Sequence, residues 1–387
     1  MNITFVTDTY SPQANGVATT LERLVNGLRE RGHTVDVIRP AVLACEEEGL
    51  EVPSIGLPGY KEVRFGFPIK LVLQARWYKK RPDVIYVATE TPLGASAISA
   101  ARALGIPAAS GFHTNFQQYM AHYQVPLLEK AAVRYLRHVH NRSTCTFVPS
   151  RDVIDDLDSR GFENLELLPK GVDTRLFSPK KRSQTLRQSW GARENSLVGL
   201  YVGRIAPEKN LPLLVECFLE IQKRIPDFRG VFVGDGPKLE ELKKEYPQFY
   251  YPGIKRGEEL AEHYASADLF LFPSVTETFG NVTMEAMASG LAVVAYDYAA
   301  ARQHIVSGEN GFTAPFDDRK AYLDLVLEAA KQELSEVRSN ARVSARKIRW
   351  KKVIKRFEKQ LSILASGETV LPTPESLELE ELSNSLS

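Results

Sequence analysis

The chain has 387 residues, 43% of them hydrophobic and 25% charged, with a net charge of +1. That length favours two cores over one, and the near-neutral charge argues against nucleic-acid binding. No apolar run reaches the roughly 18 residues a membrane span needs, and three scattered cysteines, Cys45, Cys145 and Cys217, suggest neither a disulfide framework nor a metal site. They fit a reducing compartment. The opening Met-Asn-Ile-Thr-Phe-Val-Thr-Asp lacks the basic and apolar regions of a signal peptide, so a cytoplasmic protein is expected.

In chain order, Ile3 to Thr7 reads as a buried strand, and Pro12, Asn15 and Gly16 as a loop. Leu21, Leu24, Val25 and Leu28 recur at helical spacing over Thr20 to Arg31, with Gly32 as the stop, and Thr34 to Ile38 is the next strand. This β-loop-α-β unit opens a doubly wound sheet. Val84 to Ala88, Ala108 to Gly111 and Cys145 to Pro149 continue it, with a helix over Gly94 to Leu104 between. Leu168 to Pro179 is rich in Pro and Gly and reads as a linker.

The alternation then restarts. Leu197 to Val202, Gly230 to Val233, Leu269 to Phe272 and Ala292 to Ala295 read as strands, and Leu211 to Arg224 and Lys238 to Glu245 as helices. Residues 346 to 364 read as one basic helix with Trp350, Val353, Ile354, Phe357, Leu361 and Leu364 on a stripe. The division is therefore 1–170, a linker 171–179, a second domain 180–345, a helix 346–365 and a disordered acidic tail 366–387.

Two carboxylates, Glu277 and Glu285, flank the start of a helix that follows the strand Leu269 to Phe272. A helix N-terminus offers free amides and positive potential to an anion. A phosphate on those amides, with a carboxylate on each side for hydroxyl groups, has the layout of a nucleotide-sugar. Three further segments follow strands: Asn15-Gly16, the Gly203 to Leu211 loop with Arg204 and Lys209, and Gly111-Phe-His113-Thr-Asn115. Each has a plain reading as a turn, a solvated charge or a packed polar residue. Gly234-Asp-Gly236-Pro is a turn before it is a phosphate loop, and Asp156-Leu-Asp158 belongs to an acidic helical surface rather than a metal site. The combination, in this order, points to chemistry.

The set resembles the retaining glycosyltransferases of the GT-B fold, family 4 in particular. Matching stretches are Thr7 to Val17, Leu168 to Asp173, Tyr201 to Lys209, Val233 to Pro237 and Glu277 to Glu285, and the likeness runs to about residue 365. It implies an α/β architecture of two facing Rossmann-like domains, with the C-terminal helix returning to the first. By the same likeness, Arg204 and Lys209 bind the diphosphate, and Gly16 gives its amide to the phosphate or sugar. Glu277 holds the donor sugar and Glu285 the ribose, while the amides of Phe279, Gly280 and Asn281 complete the anion cradle. His113 lies near the transferred sugar, and the Gly253-Ile254-Lys255 loop meets the base. Lys170 stands where the family usually has Asn or another small polar residue, a departure expected to touch the hinge and not the chemistry. No cofactor and no metal are implied. Two fixed cations and a helix N-terminus can meet the charge on a leaving diphosphate. Front-face transfer with retention is the preferred mechanism, with double displacement left open.

Residues 61 to 142 hold twelve Lys or Arg against four Asp or Glu, where the preceding sixty hold four against eight. Segments 68–81 and 127–142 mix basic with apolar and aromatic residues at near-helical spacing. An ordinary solvated helix face fits them, and so does an anionic membrane surface. The nearest resemblance is to diacylglycerol and phosphatidylinositol glycosyltransferases, which share the Thr-Asp-Thr-Tyr start and the run His113 to Tyr119 with Tyr123. It implies a UDP- or GDP-sugar donor, a lipid or glycan acceptor, and a peripheral place on the inner membrane face. A soluble transferase acting on oligosaccharides or small glycosides is the alternative. A nicotinamide oxidoreductase would need Gly-x-Gly-x-x-Gly after the first strand, where this chain has only Asn15-Gly16. A non-catalytic scaffold would not need the carboxylates and cations that are present.

Overall fold

The computed structural model describes residues 1–10, 16–41, 49–57, 60–113, 126–277 and 279–367, with the backbone alone for 57, 60–63 and 126–129. Asn15, Asn115, Tyr119, Tyr123 and the acidic tail beyond 367 lie outside them.

Fifteen strands are described. In the first half they are β1 (Asn2–Val6), β2 (Thr34–Pro40), β3 (Leu50–Val52), β4 (Ser54–Leu57), β5 (Tyr60–Gly66), β6 (Val84–Val87), β7 (Ala108–Gly111), β8 (Cys145–Val148) and β9 (Leu165–Leu167). The second half has β10 (Val198–Val202), β11 (Arg229–Val233), β12 (Tyr250–Gly253), β13 (Leu269–Phe272), β14 (Ala292–Tyr296) and β15 (Phe312–Ala314). One parallel sheet runs β3-β2-β1-β6-β7-β8-β9, and the other β12-β11-β10-β13-β14-β15. Strand order reverses beside β1 in one and beside β10 in the other. Ligands of open α/β sheets bind outside such reversal points, at the carboxyl ends of the strands.

The central strands are continuous apolar runs because helices cover both faces. Val84–Val87 and Leu269–Phe272 are buried throughout. The helix Gly16–Glu30 buries Leu21, Leu24, Val25 and Leu28, the stripe its sequence announces. Strands β3, β9 and β15 have three residues each, too few to show a period, and β12 ends in Pro252-Gly253, a pair that reads as a turn. The β4–β5 hairpin, also absent from the sequence reading, places the Gly66 amide 2.5 Å from Asp8 Oδ1.

The chain crosses between the sheets twice, side by side. Val172 pairs with Arg349, and the Val172 amide donates to Ile348 O at 3.0 Å. A Cβ on Gly171 would lie 2.7 Å from the Trp350 nitrogen, so the close crossing requires glycine there. This pairing corrects the single helix expected over 346–364. One helix ends at Lys347, Arg349 is extended, and a second spans Trp350–Ser366. Its stripe Val353, Ile354, Phe357, Leu361 and Leu364 packs on the first sheet, with the Phe357 ring 5.0 Å from Tyr86 and 5.1 Å from Phe147. Burying Phe357 completely is worth about 1.5–3 kcal/mol. The C-terminal helix thus ties the second half of the chain to the core of the first.

Candidate functional site

Two loops leave the second sheet at its reversal point. After β10 come Gly203 and Arg204, then a short 3-10 turn, Pro207–Lys209. After β13 come Ser274 to Gly280. Lys209 Nζ lies 2.5 Å from Glu277 Oε1, and also reaches Thr276 O at 3.3 Å and Ser274 Oγ at 3.4 Å. Ser274 donates to the same Glu277 oxygen at 2.8 Å. Arg204 Nη1 meets Glu208 Oε1 at 3.1 Å, with its side chain 40% exposed toward solvent. Lys209 is therefore held by the Glu277 carboxylate, while Arg204 is partly open to solvent.

The Gly234 to Gly236 turn has a function the sequence did not reveal. A Cβ on Gly234, where φ is +142°, would lie 1.9 Å from Gly203 O, and one on Gly236 would lie 2.3 Å from Ile205 O. The Ile205 amide donates to Asp235 O at 2.8 Å, and the Lys238 amide returns to Ile205 O at 3.1 Å. The turn is a backbone prop for the Arg204 loop. Tyr201 adds a hydrogen bond to Arg204 O at 2.9 Å.

Gly280 stands at the cap of the helix Asn281–Ala288 with φ +91°, a conformation that favours glycine. No side chain among the described residues caps this helix start. Phe279 is buried, and Asn281 Oδ1 is a buried acceptor with no partner among the described residues. One turn on, Glu285 accepts from Tyr264 at 3.0 Å. Burial pushes the Glu285 carboxyl up to about 7, against the pull of the Tyr264 hydroxyl.

The first domain faces this loop. A Cβ on Gly16 would lie 3.7 Å from Asn281 Nδ2, which brings the start of the first helix against the start of the donor-side helix. After β7, His113 Nε2 lies 2.6 Å from the buried Tyr86 hydroxyl, within hydrogen-bond distance. Burial drives its imidazole down to about 3, with Lys170 and His140 adding to the shift, so the ring is neutral. A Cβ on Gly111 would lie 2.1 Å from that Tyr86 oxygen, so glycine makes room for the pair. His113 Nδ1 is buried and without a partner among the described residues.

Lys170 corrects an expectation. It is 8% exposed and lines a small cavity with His113, Phe112, Pro149 and Trp350. Burial pulls its ammonium down to about 8, and the Glu277 carboxylate resists that pull. The residue sits at the crossing between the sheets, but its charge acts on both His113 and Glu277. Hinge and cleft coincide here, which sequence position alone could not show.

A family model described as Glycosyltransferase Family 4 matches residues 14–176, and one described as Glycosyl transferases group 1 matches 182–348. The GDP-mannose-dependent alpha-mannosyltransferase of Corynebacterium glutamicum is 34% identical over 85% of this chain and 80% of its own length. The chain belongs to glycosyltransferase family 4. The alpha-monoglucosyldiacylglycerol synthase of Acholeplasma laidlawii is 30% identical over 80% of this chain and 84% of its own. Among solved structures, Anabaena HepE in complex with UDP superposes with a TM-score of 0.73, 19% identity, and coverage of 94% of this chain and 100% of that one. The architecture is the GT-B fold, and this glycosyltransferase is a nucleotide-sugar enzyme.

The predicted residues of this glycosyltransferase fall in four places. Arg204, Lys209, Glu277, Phe279, Gly280 and Asn281 line one side of the cleft, and Gly16 and His113 come to it from the other domain. Glu285 lies one helical turn deeper. Ile254 follows β12, at the same end of the sheet but on its outer strand, and is 56% exposed. Ser274, Tyr264 and Tyr298 were missed. Ser274 bonds both Lys209 and Glu277, Tyr264 bonds Glu285 and Tyr298 bonds Glu277, and no motif marks the three.

The basic segments are partly corrected. Helix Lys70–Lys79 leaves Leu71, Val72 and Tyr78 exposed but buries Leu73 and Trp77 in the first core. Trp77 therefore cannot serve a membrane. In Pro126–His140, Leu136, Val139 and His140 are buried, while Lys130, Arg134 and Arg137 face outward. Asp156, on the acidic helical surface, forms an ion pair with Arg160 at 2.8 Å. No helix among the described residues is long and apolar enough to cross a membrane.

Proposed function

We propose that this enzyme transfers a hexosyl group, with retention, from a nucleotide-diphosphate sugar to a hydroxyl of a membrane glycerolipid or glycolipid. The observation that carries the reading is the Lys209–Glu277 pair beside Arg204, at the reversal point of the second sheet. When the bond from the sugar C1 to the diphosphate oxygen breaks, negative charge grows on that oxygen. Lys209 and Arg204 meet it together with the amides at Phe279, Gly280 and Asn281. The acceptor oxygen bonds to C1 on the same face, and its proton passes to the departing phosphate oxygen. The reading needs no metal, since fixed cations supply the charge. Glu277, freed from Lys209 by the incoming phosphate, takes sugar hydroxyls, and Glu285 takes those of the ribose. The neutral His113 faces the transferred sugar.

The relatives support both halves. Proteins named GDP-mannose-dependent alpha-mannosyltransferase from Corynebacterium glutamicum and Mycobacterium tuberculosis are 34% and 32% identical, which ranks GDP-mannose first among donors. UDP-glucose comes second. The name of the Acholeplasma relative supports a diacylglycerol-type acceptor. Leu71, Val72 and Tyr78, exposed beside Lys70, Lys79, Lys80 and Arg81, form the surface that would meet anionic lipid on the inner face of the membrane.

Turnover of GDP-mannose and UDP-glucose against dispersed diacylglycerol and phosphatidylinositol tests the assignment, with the anomeric configuration of the product read by NMR. An α-linked glycolipid from an α-linked donor is expected. Water-soluble glycosides as the sole acceptors would replace the lipid reading, and an inverted product would overturn retention.

A further inference from the structure

The short helix Ala299–His304 of the second domain has no cap of its own, since Tyr298 at the cap position makes no side-chain bond to it. Its first residue, Ala299, holds φ +52°, a strained value for alanine. The cap comes from the other domain. Asp152, in the helix Arg151–Ser159, accepts the Ala299 amide at Oδ2 (3.0 Å) and Arg302 Nη1 at Oδ1 (2.6 Å). Asp152 is 15% exposed at the side chain, and Ala299 is buried.

The capped segment holds both flanks of the donor loop. Tyr298 donates its hydroxyl to Glu277 O at 2.8 Å, and the Ala300 amide donates to Phe279 O at 2.8 Å. Ala300 Cβ would lie 3.8 Å from a Cβ on Gly280. A carboxylate of the first domain is therefore two bonds away from the carbonyls on either side of position 278.

We infer that Asp152 is a positioning residue for the transfer reaction: by capping Ala299–His304 across the cleft, it sets the Glu277–Gly280 loop only when the two domains are closed. The inference rests on the proposed role of that loop in holding the donor sugar. Its consequence is selective. A nucleoside diphosphate alone needs only the second domain, while a sugar held for transfer needs the loop in its capped geometry. The clasp thus couples closure to turnover more than to nucleotide affinity.

The test compares wild type with Asp152→Ala and Asp152→Asn in the full chain. Asn keeps the shape and a carbonyl acceptor for the Ala299 amide, so it also covers the case in which Ala disturbs folding. Expected for Asp152→Ala is a fall in kcat of about five- to tenfold, the size of one lost helix cap. GDP affinity by calorimetry stays within about twofold. Asp152→Asn should recover most of the loss, and amide exchange at Ala299 to Ala301, Phe279 and Gly280 should quicken in Asp152→Ala. Wild-type kcat in Asp152→Ala would overturn the inference, as would a loss of GDP affinity equal to the loss of turnover. If wild type itself transfers no hexose, the proposed function fails, and unchanged amide exchange in Asp152→Ala would then overturn the clasp on its own.

Discussion

Lys209 Nζ and Glu277 Oε1 stand 2.5 Å apart, and Ser274 donates to the same carboxylate oxygen at 2.8 Å. Lys209 and Glu277 therefore neutralise one another in the structure. On the proposed function, an incoming diphosphate would compete with Glu277 for Lys209 and release the carboxylate. Lys209→Ala should lower kcat by about 10²- to 10³-fold, or roughly 2.7–4 kcal/mol, the size of a lost oxyanion donor. Arg204→Ala should fall in the same range. Lys209→Ala with Glu277→Gln should cost less than the sum of the two, because one contact is counted twice. Steady-state kinetics of the three variants check this; additive losses would mean that the pair does not act as a unit.

Glu285 should affect donor binding and stability in opposite senses. The folded protein binds the Glu285 proton more tightly than the unfolded chain, with the carboxyl at about 7 against an ordinary 4.5. The resulting stability is full below about 4.5 and is lost as pH rises through about 7. Glu285→Gln does not lose it. Relative to wild type, that variant should be about as stable at pH 4 and more stable at pH 8, by up to about 3 kcal/mol. Its donor KM should rise while kcat changes little. Denaturant melts across that pH range and donor titrations decide it.

Gly236→Ala should disable the cation loop without touching a charge. The new methyl would lie 2.3 Å from Ile205 O, so backbone must move. A stability loss of about 1–3 kcal/mol is expected from the overpacking. Donor turnover should fall further than stability accounts for, since Arg204 sits on the displaced loop. Activity measured well below the melting temperature separates the two effects.

The surface of helix Lys70–Lys79 should carry membrane binding. Leu71, Val72 and Tyr78 are 78%, 55% and 84% exposed, whereas Trp77 is 1% exposed. Replacing the three exposed residues with Ser should abolish sedimentation with anionic vesicles and leave turnover of a detergent-dispersed acceptor intact. Binding by wild type should weaken with salt, because the neighbouring lysines and arginines contribute by charge. Wild type that stays in the supernatant at low salt would remove the membrane assignment.

Much of this protein was legible in sequence because its signals are local. β13 spans Leu269–Phe272, the segment marked by its apolar run, β7 spans the expected Ala108–Gly111, and the helix Leu211–Arg224 has the bounds its pattern sets. Glu277, Glu285, Arg204 and Lys209 were visible because strand-to-helix loops of a doubly wound sheet put them at one edge, and their family likeness is carried by contiguous motifs. The strands β3, β9 and β15 were not visible, since three residues show no period, and β12 ends in Pro252-Gly253, a pair that reads as a turn.

What only the tertiary structure decided is which residues act through others. Helical periodicity put Trp77 on a basic helix, but burial against the first sheet gave it to the core. Lys170 reads as a hinge residue until the crossing at Gly171 and Trp350 buries it beside His113 and under the influence of Glu277. The helix break at Arg349 follows from pairing with Val172, 177 positions away in the chain (349 minus 172). Asp152 carries no motif, and its partner Ala299 lies 147 residues on. Sequence determines elements and motifs, because propensity and periodicity are short-range. Pairings across a cleft depend on how two separately formed cores dock, and no local pattern encodes that.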